Sequence, residues 1–294
     1  GEIEGATAKV KLKIRTQDAA TAEKARADAA EKLAELEGLE SYDVKLQVET
    51  PPDPATAGQK AIARDPRLIP GVNRVVAVAR GKGGGGKSTG AVNLAISLAK
   101  LGHSVGILDA DIYGPSLPMM MGVTESRPRV AEDGGSMLPF DAHGVKVMSL
   151  GFILEVDTPV IWRGPMVTQA LEQLLNDTRW KDLDYLVVDL PPGTGDIQLT
   201  LAQKVPVSGA VIVTTPQNIA LLDARKGLKM FEKVEIPVLG IIENMSTHIC
   251  SECGHEEHIF GAGGGKRMAD DYDVEDLGNI PLDSRIRADV DAGK

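Results

Sequence analysis

Apolar and polar positions alternate twice near the start of the chain. Val10, Leu12 and Ile14 are interleaved with Lys9, Lys11, Lys13 and Arg15, and Tyr42, Val44, Leu46 and Val48 repeat the pattern, the period of a strand with one wet face. Residues 18–37 between them are rich in Ala, Glu, Lys and Leu, which favour helix, so residues 1–50 predict a small α+β domain containing a βαβ unit. Proline-rich sequence from Glu49 to Gly71 with little periodicity predicts an exposed linker over 51–72. The pattern then changes. Val75 to Ala79, Val105 to Leu108, Val145 to Leu150, Tyr185 to Leu190, Ala210 to Thr214 and Val238 to Ile242 are short, nearly continuous apolar runs separated by helical segments. Strands buried on both faces look like this, and helical spacers imply right-handed crossovers, so residues 73–294 predict a doubly wound α/β domain with a mostly parallel sheet.

Composition narrows the function. The 294 residues carry a net charge of −10, which disfavours a nucleic-acid partner because neutralising phosphates needs a basic face. Aromatic residues make up only 3%, too few for a base-stacking surface. No apolar run approaches the roughly 20 residues that span a bilayer. These features lead us to expect a soluble, cytoplasmic protein with no membrane partner.

Directly after the first apolar run of the main domain stands Gly81-Lys82-Gly83-Gly84-Gly85-Gly86-Lys87-Ser88-Thr89, which satisfies G-x-x-x-x-G-K-[ST] ahead of a segment carrying Leu94, Ile96 and Leu98. Glycines let successive amides turn toward a phosphate, and the helix that follows adds positive partial charge. This assigns Gly81 to Thr89 to ATP, with Lys87 reaching the β- and γ-phosphates and Ser88 ligating Mg²⁺. Two acidic segments close apolar runs: Asp109-Ala110-Asp111 and Asp189. Ligands in open α/β sheets bind at such strand ends. Asp189 therefore reads as the carboxylate behind Mg²⁺, and Asp111 as the group that orients the attacking water. Pro191 to Asp196 supplies a stiff turn with flexible glycines, suited to a segment that senses the terminal phosphate.

Cys250 and Cys253 are the only cysteines. In Cys250-Ser251-Glu252-Cys253-Gly254-His255 the CxxC spacing points two thiolates at one soft metal, and residues 245–260 form a candidate metal-binding segment. Two ligands are half a site. Three readings stay open: a cluster shared with a second copy, a Cys₂His₂ zinc site using His248, His255 or His258, and an idle or redox-active thiol pair. His103 and His143 read as histidines without a role, and Met119 to Met121 as adaptable packing.

The early lysine in the glycine loop, Lys82, resembles the deviant Walker A loop of the MinD, ParA and nitrogenase-iron-protein class, where it implies action across a dimer interface. Gly85 departs from the side chain usual there and makes the loop more flexible. The glycine loop taken with Asp109 to Ser116, Asp189 to Asp196 and Glu243-Asn244-Met245-Ser246 resembles the Mrp/ApbC family of iron–sulfur cluster carrier ATPases from about residue 65 onward. Residues 1–50 resemble the end of the small domain often found ahead of it. The resemblance implies a homodimer, Asn244 at the adenine, Trp162 and Arg163 near the dimer face, and a [4Fe–4S] cluster bridging paired cysteines. It also implies apo iron–sulfur proteins and cluster scaffold proteins as partners. Rival expectations are a positioning ATPase, disfavoured by the acidic segment Asp270 to Asp276, and a nucleotide-gated iron–sulfur reductase.

Overall fold

The computed structural model describes residues 2–4, 7–15, 19–34, 41–49, 69–80, 84–112, 114–124, 126–132, 134–152, 164–193 and 195–294. The chain divides into two compact units, Gly1–Ala63 and Arg64–Lys294. In the first, strands β1 (Glu2–Glu4) and β2 (Thr7–Arg15) pair antiparallel. Helix α1 (Ala19–Ala34) then crosses to β3 (Ser41–Glu49), which lies parallel to β2 with Val10 opposite Val44 and Leu12 opposite Leu46. The alternating residues Val10, Leu12 and Ile14 are thus in register with Val44, Leu46 and Val48 in a βαβ unit. The short β1 has no counterpart in the sequence pattern, because three residues carry too little of it.

The second unit opens with β4 (Val72–Ala79), α2 (Lys87–Lys100), β5 (Val105–Asp109) and α3 (Leu117–Met120). A short hairpin, β6 (Arg129–Val130) and β7 (Met137–Leu138), leads to β8 (Phe140–Ala142) and β9 (Val145–Ser149). Next come α4 (Gly164–Asp177), β10 (Leu183–Asp189), α5 (Asp196–Lys204), β11 (Gly209–Thr214), α6 (Asn218–Lys233) and β12 (Val238–Asn244). The chain closes with β13 (His248–Ile249), β14 (Glu256–Glu257), α7 (Gly264–Tyr272), β15 (Asp276–Ile280) and α8 (Ser284–Asp291).

Eight strands form one sheet in the order β15-β12-β11-β4-β10-β5-β9-β8, parallel throughout except for β8 against β9. Every residue of β5 and β11 is buried, as their unbroken apolar runs require. Alternate residues of β4 serve opposite faces. Val75, Ala77 and Ala79 join a core with Leu171, Leu174, Trp180 and Phe231, whereas Val78 joins Ala91, Val92 and Ala95 of α2. Helices therefore cover both faces. Two edge strands escape the sequence reading: β15, Asp-Leu-Gly-Asn-Ile, is half-exposed and has no apolar run, and β8 is short. Met120 and Met121 are buried, while His103 rests edge-on against Tyr185 and His143 lies 3.0 Å from the Gly293 carbonyl.

Register sets the level of the strand ends. Asp189 of β10 is paired with Asp109 of β5 on one side and Val78 of β4 on the other. The carboxylates and the residues leading into the glycine loop thereby arrive at the same C-terminal rim of the sheet.

Candidate functional site

The loop from β4 to α2 is described from Gly84 onward; Gly81, Lys82 and Gly83 lie outside the described residues, as do Tyr113, Trp162, Arg163 and Thr194. Gly84 and Gly86 adopt φ of +90° and +79°, the left-handed region that a side chain resists. Gly86 also has no room for one, because a Cβ there would fall 2.0 Å from Asn244 Nδ2. Asn244 donates from Nδ2 to the Gly85 carbonyl at 3.0 Å, and its Oδ1 accepts the Met245 amide at 2.9 Å. The end of β12 thus holds the glycine loop from the side.

Lys87 opens α2 and is buried, its Nζ 2.6 Å from Asp189 Oδ1 and 3.8 Å from Asp111 Oδ2. Ser88 donates its hydroxyl to Asp189 Oδ2 at 2.6 Å, and Thr89 follows in the same helical turn. Lys87, Ser88, Asp111 and Asp189 are therefore one cluster. Burial raises the Asp189 carboxyl above its usual range, opposed by the Lys87 ammonium and the Ser88 hydroxyl. A hydroxyl and a carboxylate in contact at the mouth of a phosphate loop are hard oxygen donors, the chemistry Mg²⁺ selects, so these residues fit that ion.

Asp109 plays a different part from Asp111. It is fully buried and accepts from the Asp111 amide, the Leu117 amide and the Ser149 hydroxyl, each at 3.1 Å. Burial, followed by the neighbouring Asp189 charge, raises its carboxyl to about 7. Asp109 ties β5, β9 and the start of α3 together, and so fixes where Asp111 begins. In the following segment Gln198 donates to the Pro191 carbonyl and Gly193 has φ of +104°.

Cys250 and Cys253 occupy the tip between β13 and β14, which pair antiparallel with His248 opposite Glu257. The Cys250 amide bonds the His255 carbonyl and the Gly254 amide bonds the Cys250 carbonyl, both at 2.9 Å, with Gly254 at φ of +71°. Both thiols are free, Cys250 half-buried and Cys253 exposed. The backbone amides of Cys253 and then Glu252 lower the Cys250 thiol below its ordinary range, favouring thiolate. His248 and His258 each place Nδ1 against a backbone carbonyl, of Leu282 and Ser246 respectively. Among the described residues, no group of three His, Cys, Asp or Glu side chains gathers where it could hold a metal.

Glu243, the neighbour of Asn244, has no role in the sequence reading. It is buried on β12, and its carboxylate accepts the Gly263 amide at 3.2 Å and the Gly265 amide at 2.5 Å. Side chains on Gly264 and Gly265 would collide with Leu221 and with Glu243 itself. An acid at a strand end followed, some twenty residues on, by a run of three glycines is the available sign of this cap.

A phosphate loop between a parallel strand and a helix, its lysine meeting carboxylates from two neighbouring strands, defines a P-loop nucleoside triphosphatase. The family model described as ParA, NUBPL iron-transfer P-loop NTPase, matches residues 71–294. An iron–sulfur cluster carrier protein of Pseudomonas fragi is 57% identical over 263 residues, covering 89% of either chain. One of Escherichia coli strain K12 is 59% identical over 225 residues, which cover 76% of this chain and 61% of that protein's length. A nucleotide-binding protein of Archaeoglobus fulgidus, solved with ADP, superimposes with a TM-score of 0.68 at 38% identity, over 76% of this chain and 87% of that one. The chain belongs to the NUBPL-type family of iron-transfer P-loop NTPases, whose relatives are iron–sulfur cluster carriers. Among the described residues no helix is long and apolar enough to cross a membrane.

Proposed function

We propose that the chain is a cytoplasmic, ATP-dependent carrier that holds an iron–sulfur cluster between the Cys250 and Cys253 thiolates of two copies. It receives the cluster from scaffold proteins and delivers it to apo iron–sulfur proteins, with no nucleic-acid or membrane partner. The observation that carries this reading is the hairpin tip, which offers two free thiols, while among the described residues no group of three His, Cys, Asp or Glu gathers to hold a metal. A [4Fe–4S] cluster takes about four thiolates, a number that two chains supply. Ile249 and Ile259, both exposed, flank the tip in sequence and give a second copy apolar surface to cover.

In the nucleotide half, Lys87 places its charge against the β- and γ-phosphates, and the loop from Gly81 to Thr89 wraps them with amides. Mg²⁺ would be held by Ser88, with Asp189 behind it. When bound, the ion neutralises charge that develops on the phosphates. Asp111 orients the attacking water, Lys82 acts across the homodimer on the partner's nucleotide, and Asn244 meets the adenine from the strand end where it already holds the loop. The ADP bound by the Archaeoglobus fulgidus relative supports a nucleotide here.

Anaerobic reconstitution with iron and sulfide tests the carrier. The expected result is about four iron and four acid-labile sulfide per two chains, followed by ATP-dependent transfer to an apo-acceptor. One zinc per chain without labile sulfide would overturn the proposal, and retention of the cluster through redox cycling would replace a carrier with a reductase.

A further inference from the structure

Gly85 differs from the glycines on either side of it. Gly84 and Gly86 have positive φ, but Gly85 does not, so its backbone conformation accepts any residue. Its surroundings do not. A Cβ on Gly85 would lie 3.2 Å from Arg80 Nη1, 3.7 Å from Arg80 Cδ and 3.8 Å from Thr215 Cγ2. The Arg80 guanidinium therefore fills the space that a side chain at position 85 would take.

Arg80 follows β4 and leads into the phosphate loop. Its side chain is half-buried, no carboxylate comes within ion-pair distance of it among the described residues, and its Nε is enclosed with no hydrogen-bond partner. A buried arginine donor without a partner is unusual and calls for an acceptor. Burial lowers the Arg80 pKa, while the charges of Asp189 and Asp111 oppose that shift. These are the carboxylates that face Lys87, so Arg80 shares their electrostatic field. Arg80 also lines a cavity of about 290 Å³ beside the loop, together with Gly84, Gly85, Thr214, Thr215 and Gln217. The cavity's other walls include Ile219, Met245, Phe260 and the carboxylate of Asp223, so the Arg80 guanidinium is the one cation among the lining residues. Lys87 is already engaged by Asp189 at 2.6 Å.

We propose that Arg80 is a second cation of the phosphate site, donating to the phosphate chain of bound nucleotide from the cavity side of the loop. Gly85 is glycine because Arg80 occupies its side-chain space. The inference rests on the nucleotide reading above and deepens it: the site grips its nucleotide with a planar fork as well as with a lysine.

The test measures binding of fluorescent ATP and ADP analogues to the full chain, with thermal melting by circular dichroism to confirm folding. Arg80→Ala is expected to weaken ATP by about tenfold, the size of one charge-assisted hydrogen bond. Arg80→Lys should restore part of that loss and keep the dependence of affinity on salt, which a purely structural role would not require. Gly85→Val should displace the guanidinium and match the loss of Arg80→Ala, whereas Gly85→Ala, needing a shift of tenths of an ångström, should stay within about threefold of wild type. Because both act through one contact, the double variant Arg80→Ala/Gly85→Val should bind no worse than Arg80→Ala. If Arg80→Ala does not fold, Arg80→Lys carries the comparison. Wild-type ATP affinity in the Arg80 variants, with Lys87→Ala impaired, would overturn this inference and leave the nucleotide reading intact. Wild-type affinity in Lys87→Ala would instead remove the nucleotide reading itself. An undiminished loss on adding Gly85→Val to the Arg80→Ala variant would overturn the pairing of the two residues.

Discussion

The lysine of the phosphate loop and the exposed thiol of the hairpin sit at opposite extremes of solvent access. Lys87 is 2% exposed and is fixed by a carboxylate from a neighbouring strand, whereas Cys253 stands on the tip of a two-residue-stranded hairpin. The phosphate site is a product of the sheet. Its acids arrive at one level because β4, β5 and β10 are in register, and its lysine is held by the ion pair that register creates. The hairpin is held by local turns and by single bonds to Leu282 and Ser246. A group buried in a sheet cannot be changed without disturbing both fold and chemistry, while a surface thiol can be changed with little effect on either core or nucleotide.

The largest effect expected from this contrast is at Lys87. Lys87→Ala should lower ATP hydrolysis by about a thousandfold or more, because electrostatic stabilisation of the phosphates is lost. It also strips Asp189 of its ammonium, and a buried charge left alone costs about 3 kcal/mol. Turnover and denaturant midpoint should therefore fall together; retention of both would break the assignment of the site. Cys250→Ser and Cys253→Ser should do the reverse. Each should empty the cluster site, read by visible absorbance and iron content, with ATP hydrolysis and melting temperature close to wild type. A large loss of hydrolysis in either variant would show that the two regions are not separable.

Glu243→Gln sharpens the comparison from between the regions. An amide still presents one acceptor, so one of the two glycine amides loses its partner, worth about 1–3 kcal/mol for a buried group. Hydrogen exchange of α7 should rise, while Arg267 and the outer face of that helix stay unchanged in contacts to solvent.

The smallest effect concerns pH. The Asp109 carboxyl is raised to about 7 in the fold, so between its unfolded value near 3.8 and 7 the native state binds more protons than the unfolded state. Its contribution to stability is therefore full at low pH and declines as pH rises through that window. Lys87 and Asp189 are the charged groups facing it. Asp109→Asn should remove this part of the slope, measured as urea midpoints at about pH 5 and pH 7. An unchanged slope would show that Asp109 ionises elsewhere.

Much of the nucleotide domain is legible in the sequence because its signals are local. Strands buried on both faces leave unbroken apolar runs, and the phosphate loop writes its backbone needs as glycines ahead of Lys87. The edge strands β15 and β8 are not legible, since a strand at the rim buries one side incompletely and needs no apolar run. Asp109 and Asp111 are adjacent in type and place. Only the fold separates them, by giving Asp109 the Ser149 hydroxyl and two amides while Asp111 faces Lys87. Arg80 and Glu243 escape the sequence for a related reason: each owes its role to the missing side chain of a glycine, and no periodicity links an arginine to the absent Cβ of Gly85.

The consecutive placement of Glu243 and Asn244 also bears on which lengths of this chain can change. Side chains alternate across a strand, so Asn244 reaches the phosphate loop and Glu243 the start of α7 only while β12 keeps its register between β11 and β15. Inserting one residue before Glu243 would send the carboxylate to the Gly85 carbonyl, and deleting one would send the Asn244 amide to the glycine run, so either change loses both contacts. The hairpin tip is fixed in length by a different rule, since Ser251 and Glu252 set the CxxC spacing and the Gly254 amide closes on the Cys250 carbonyl, so length variation should be excluded from the tip as well as from the strand that feeds it.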